Sequence, residues 1–169
     1  MKIAFRSLSL LVLVVVITFY AGCKKNPENE DTEEKKQLEK LVGDWTLVTA
    51  NDGQDRTTDF INEVPEPDEP LILHIEGAYS GEGKTYNYRF TGTRPNPSPW
   101  PESGIWKFGN PKSTQIIRDP GGVNEIAMTY TVTETNLIIS FTVPDGSAGW
   151  PGSSRVKNVI GDWEFTFEK

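Results

Sequence analysis

From residue 43 to the end of the chain, apolar side chains recur at every second position, the spacing of strands with one face buried and the other in water. Trp163, Phe165 and Phe167 alternate with Asp162, Glu164, Thr166 and Glu168. Ile126, Met128, Tyr130 and Val132 alternate with Ala127, Thr129, Thr131 and Thr133. After a turn at 133–136, Leu137, Ile139, Phe141 and Val143 follow the same rule, which predicts a hairpin. Further strands run through Leu71, Leu73 and Ile75, through Tyr86, Tyr88 and Phe90, and through Trp106 and Phe108. Trp45 and Leu47 open the series, and a weaker run over 113–118 brings it to about eight strands.

Turn-forming stretches at 81–83, 109–111, 119–122 and 145–149 join these segments in succession. Sequential strands with one-in, one-out patterning predict an all-β fold: an up-and-down antiparallel barrel of about eight strands behind a short N-terminal helix. Closure would leave no exposed edge. Gly-Asp-Trp occurs twice, at Gly43 to Trp45 and at Gly161 to Trp163. In an even-stranded barrel the first and last strands are antiparallel neighbours, so Gly43, Trp45, Gly161 and Trp163 are expected to close it. Ten inward rings, from Trp45 to Phe167, predict a filled interior over a deep pocket.

The chain ahead of the barrel reads differently. Lys2 and Arg6 precede an apolar run over 8–22 broken only by Ser9 and Thr18, the pattern of a secretory signal. It is shorter than the roughly 20 residues a permanent span needs. Tyr20-Ala21-Gly22-Cys23 resembles the lipobox of bacterial lipoproteins, with Tyr20 where leucine is usual. The resemblance implies that residues 1–22 are removed and that Cys23 is diacylated, anchoring the protein to membrane through its lipid. Two acyl chains supply the affinity that one would not. Lys24, in place of an aspartate after the cysteine, favours the outer membrane by the same resemblance. The acidic stretch 28–31 resembles a surface-export signal, so the periplasmic and outward faces both stay open.

Residues 23–40 are almost entirely polar and read as a tether ending in a short helix. Thr32 followed by Glu33 and Glu34 suits a helix start, Lys36 and Lys40 suit its end, and Leu38, Leu41 and Val42 give it an apolar edge to cover one end of the core. Residues 41–169 form the barrel domain. With 17 Lys+Arg against 24 Asp+Glu the net charge is −7; losing the first 22 residues with Lys2 and Arg6 leaves 147 residues at −9. That acidity gives nucleic acid no basic field to meet. A single Cys excludes an internal disulfide, and a single His excludes a multi-histidine metal site; no metal or cofactor is expected.

Leu41-Val42-Gly43-Asp44-Trp45-Thr46-Leu47, directly after a short helix, resembles the Gly-x-Trp opening of lipocalins and the wider calycin group. With the lipobox and the 103–108 run leading into 116–122, the mature chain is similar to the small lipocalin-like lipoproteins. The resemblance implies that Trp45 plugs the barrel floor beneath a basic side chain from the last strands, Arg155 by position with Lys157 in reserve.

Candidate chemistry is sparse. Asp44, Asp162 and Glu164 are the acids a glycosidase would pair, but alternation sends all three to the solvent side. His74 shares a face with Ile72 and Glu76 and reads as an exposed or edge residue and not a general base, with no plausible nucleophile partner. No phosphate loop, nucleophile elbow or zinc motif occurs, and the protein reads as not an enzyme. The unusual features are two loops, 92–104 and 144–154, each with a Trp before a Pro: Trp100 and Trp150. Proline restrains the preceding backbone, so each ring is held for stacking on a sugar or a partner, or folds back as a lid. A short helix over 57–64 would turn Phe60 into the mouth.

These features give a cell-envelope binding module for a glycan or small apolar ligand, using Trp100, Trp150, Phe60 and the Tyr86 and Tyr88 strand. An interaction or inhibitor module meeting an envelope protein is the alternative, and an envelope hydrolase comes third. A flat rim would favour a protein partner and a concave cavity a small ligand.

Overall fold

The two-residue alternation resolves into eight antiparallel strands, each bonded to the next in chain order and closed into a barrel. They are β1 (Gly43–Asn51), β2 (Ile72–Glu76), β3 (Thr85–Thr91), β4 (Ser103–Phe108), β5 (Gln115–Arg118), β6 (Ile126–Val132), β7 (Asn136–Val143) and β8 (Gly161–Glu168). This computed structural model describes residues 32–60, 70–95, 98–145 and 159–169. Cys23, Trp150 and Arg155 lie outside the described residues, as do the signal segment and the tether.

Burial follows the alternation. In β3, Tyr86, Tyr88 and Phe90 are buried between exposed Thr85, Asn87, Arg89 and Thr91; in β8, Trp163, Phe165 and Phe167 are buried. Each such side chain removed from water contributes about 1.5–3 kcal/mol, and the barrel gathers them into one core. Asp44, Asp162 and Glu164 stand on the solvent face, as the pattern required.

β1 and β8 close the barrel, pairing from Thr46 opposite Glu168 to Asn51 opposite Glu164, with an irregularity between Leu47 and Thr49. Antiparallel pairing carries the two Gly-Asp-Trp units to opposite ends of the barrel, so they do not face each other. They share one local device instead. Trp45 Nε1 donates to the Leu41 carbonyl at 2.7 Å, and Trp163 Nε1 donates to the Val159 carbonyl at 2.9 Å, each four residues back. Gly43 and Gly161 sit at φ 134° and 125°, where a side chain would be strained. That turn lets the indole fold onto the carbonyl before the strand starts.

At one end, α1 (Glu33–Leu41) lies across the opening. The Thr32 side chain accepts from the Lys35 N–H at 3.2 Å to start the helix, and Leu38 and Leu41 are buried against the core. Glu34 does more than complement the helix dipole. It is fully buried and accepts from the Gly83 N–H at 3.0 Å and the Tyr86 hydroxyl at 3.2 Å, while Lys112 Nζ lies 3.3 Å away. Lys169 completes this closed end: its Nζ stands 4.5 Å from the Trp45 ring centroid and donates to the Lys40 and Val42 carbonyls. Among the described residues Lys169 is the cation over Trp45; Arg155, to which the resemblance gave that place, lies outside them.

Candidate functional site

The other end of the barrel carries the connections 52–71, 92–102, 119–125 and 144–160, which include the longest ones in the domain. Two of them send aromatic side chains inward. Residues Thr57–Phe60 form one 3-10 turn, shorter than the helix expected over 57–64. The Asp55 carboxylate accepts from the Thr57 N–H at 2.9 Å, and the Thr57 hydroxyl accepts from the Ala50 N–H at 3.2 Å. The hydroxyl and N–H of Thr57 together hold the Asp55 carboxyl below its ordinary range. This bracing aims Phe60 into the mouth, fully buried, edge-on to Phe165 at 5.3 Å and Trp163 at 6.2 Å.

Trp100 arrives from the β3–β4 connection and corrects the picture of a presented ring. It is 3% exposed and lies inside the barrel, with ring centroids 5.0 Å from Phe141, 5.2 Å from Phe90 and 5.7 Å from Phe165. The physical reason is the apolar mouth itself: Phe90, Phe141 and Phe165 would face water unless covered, and a large ring on a restrained loop covers them at small entropic cost. Two arginines hold the loop down. Arg94 Nη1 donates to the Trp100 carbonyl and Arg118 Nη1 to the Pro99 carbonyl, each at 2.9 Å. The Arg118 guanidinium also stands 5.4 Å from the Trp100 ring and 5.3 Å from the Phe141 ring.

Tyr86 and Tyr88, proposed as ligand contacts, are buried and separated in role. Tyr86 belongs to the closed end through Glu34. Its phenol is pushed up to about 12, first by burial and then by the Glu34 charge. Tyr88 lines the interior with Arg118. Burial pushes its phenol to about 12 although the guanidinium pulls the other way, and burial likewise lowers the pKa of Arg118.

Tyr88, Trp100, Trp106, Arg118 and apolar neighbours line a space of about 20 Å³, the room of a single water molecule. With Trp100 in place, aromatic side chains fill the described interior around it. The Nε1 atoms of Trp100 and Trp106 are buried there without a hydrogen-bond partner. Arg118 was not singled out from sequence, although its signal is present: it stands two residues after buried Ile116 on a short strand, where period two turns it inward.

The third connection of the open end, 119–125, is a braced turn. The Gly122 N–H donates to the Asp119 carbonyl at 2.9 Å, the Asn124 N–H to Asp119 Oδ2 at 3.3 Å, and the Gly121 N–H to Glu125 Oε2. Val123 at its tip is 84% exposed. Among the described residues no group of three His, Cys, Asp or Glu side chains is placed to hold a metal, and no helix is long and apolar enough to cross a membrane. No family model, no curated protein and no solved structure matches this chain.

Proposed function

We propose that this chain is a lipid-anchored protein of the bacterial cell envelope, held at the outer membrane through Cys23, and that its barrel is a scaffold presenting open-end loops to an envelope protein. The lipid anchor rests on the apolar run over 8–22 and the Ala21-Gly22-Cys23 junction. The observation that carries the binding reading is the filled interior. With aromatic side chains packed into one core, the described barrel offers a partner its outside, and the longest connections gather at one end. Val123, on a turn too braced to withdraw, is an apolar contact ready-made for a partner.

A small apolar ligand or a glycan is the second reading, favoured by the two indole N–H groups that lack acceptors. A ligand displacing Trp100 would bring oxygen atoms to them, and an unmade buried hydrogen bond costs about 1–3 kcal/mol.

Site-specific photo-crosslinking of the full chain in cells separates these. A crosslinker at Val123 should give a discrete protein adduct that one at Glu39, on the helix of the closed end, does not. No adduct at Val123, together with a small ligand that shifts tryptophan emission only while Trp100 is present, would transfer the proposal to the second reading.

A further inference from the structure

On the outer face of β1, β2 and β3, on the opposite side of the sheet from the core, three polar side chains form a row. Asp44 stands directly opposite His74, and Thr91 lies diagonally across, opposite Ile72. Asp44 Oδ1 is 2.6 Å from His74 Nδ1, and Thr91 Oγ1 is 2.8 Å from His74 Nε2. An ionised carboxylate only accepts, so the imidazole proton sits on Nδ1. In the neutral ring this leaves Nε2 as the acceptor, and the Thr91 hydroxyl is then the donor. The His74 side chain is 12% exposed, so its ring is held in place while its neighbours face solvent.

Carboxylate, imidazole and hydroxyl in that order are the arrangement in which the ring takes the hydroxyl proton as the oxygen attacks. The sequence offers no nucleophile for His74 because Thr91 is 17 residues away and only the β2–β3 register brings it there.

We propose that Asp44, His74 and Thr91 form a relay that makes Thr91 Oγ1 a nucleophile toward small acyl esters, an activity separate from partner binding at the open end. Thr91 Oγ1 bonds to the ester carbonyl carbon while His74 Nε2 takes its proton. The bond from that carbon to the ester oxygen then breaks, and the leaving alcohol takes the proton from His74. Water then adds through its oxygen to the acyl carbon and gives a proton to His74 Nε2; the bond from that carbon to Thr91 Oγ1 breaks, Oγ1 takes the proton back from Nε2, and the acid leaves. Thr91 stands exposed at the end of β3, where an acetyl group on an accessible oxygen can reach it, and such acetyl esters are the substrate class. Arg89, two residues before Thr91 on the same face, is bonded through Nε to Glu76 at 3.1 Å, on the far side of His74 from Thr91. Asp44 acts as a positioning residue.

The test is incubation of the full chain with p-nitrophenyl acetate, followed by peptide mapping by mass spectrometry. An acetyl group on Thr91 with matching nitrophenolate release is expected. Thr91→Val should abolish that adduct and Thr91→Ser retain it, while His74→Gln and Asp44→Asn should each slow its formation roughly 10²-fold or more. Circular dichroism on each variant separates loss of chemistry from loss of fold, and Thr91→Ser keeps the test alive if Thr91→Val unfolds. Acetylation confined to lysines, or Thr91 acetylation indifferent to His74→Gln and Asp44→Asn, would overturn the relay.

Discussion

Three buried phenols define the behaviour of single residues in this core. Tyr86, Tyr88 and Tyr130 are each at most 5% exposed, and burial raises all three above the ordinary value of 10.0. Tyr86 and Tyr88 keep their protons to about 12, whereas the unfolded chain gives them up near 10. A folded pKa above the unfolded one means that the stability these phenols support is complete below pH 10 and is lost as pH rises toward 12. The urea midpoint should therefore fall steadily across that window, with tyrosinate absorbance rising as the fold is lost. Replacing Tyr88 by Phe should flatten the fall, and a midpoint unchanged up to pH 12 would count against buried phenols.

At the scale of the elements, one five-residue device is used at both ends of the barrel. Leu41 to Trp45 and Val159 to Trp163 each turn through a glycine at positive φ and fold an indole N–H onto the carbonyl four residues earlier. Replacing Trp45 or Trp163 by Phe keeps most of the ring and removes that bond. Each should cost about 1 kcal/mol in denaturant unfolding. Trp45 meets Lys169, whereas Trp163 meets Phe60 and Phe165, so among the ring and cation contacts of the described residues the two have different partners. The double variant should be additive within about 0.5 kcal/mol, and a larger coupling would mean that the two ends communicate through the core.

Strand identity was legible because period two is local: Trp163, Phe165 and Phe167 announce their shared face within five consecutive residues. What was not legible depends on register or on distant closure. His74 acquires Thr91, Glu34 acquires Tyr86 and Gly83, and Trp45 acquires Lys169 only once strands and caps have met. Trp100 was legible as a restrained ring that either presents itself or folds back as a lid, and the uncovered faces of Phe90, Phe141 and Phe165 decide for the lid.

The domain from Thr32 to Lys169 is a barrel asymmetric along its axis: a helix and Lys169 cover one end, and loop residues Phe60 and Trp100 fill the other from within. The proposed scaffold role rests on that distribution. A calyx lipid or pigment carrier would need its aromatic side chains to line a space; here they occupy it. The most direct measurement is fluorine NMR of the full chain labelled with 5-fluorotryptophan, with the Trp100 signal identified by its loss in Trp100→Phe and a soluble paramagnetic agent reporting water access. The filled barrel predicts that the Trp100 signal is as protected as those of Trp45 and Trp163. A Trp100 signal broadened like that of an exposed ring would contradict it, and would return the interior to candidacy as a binding site.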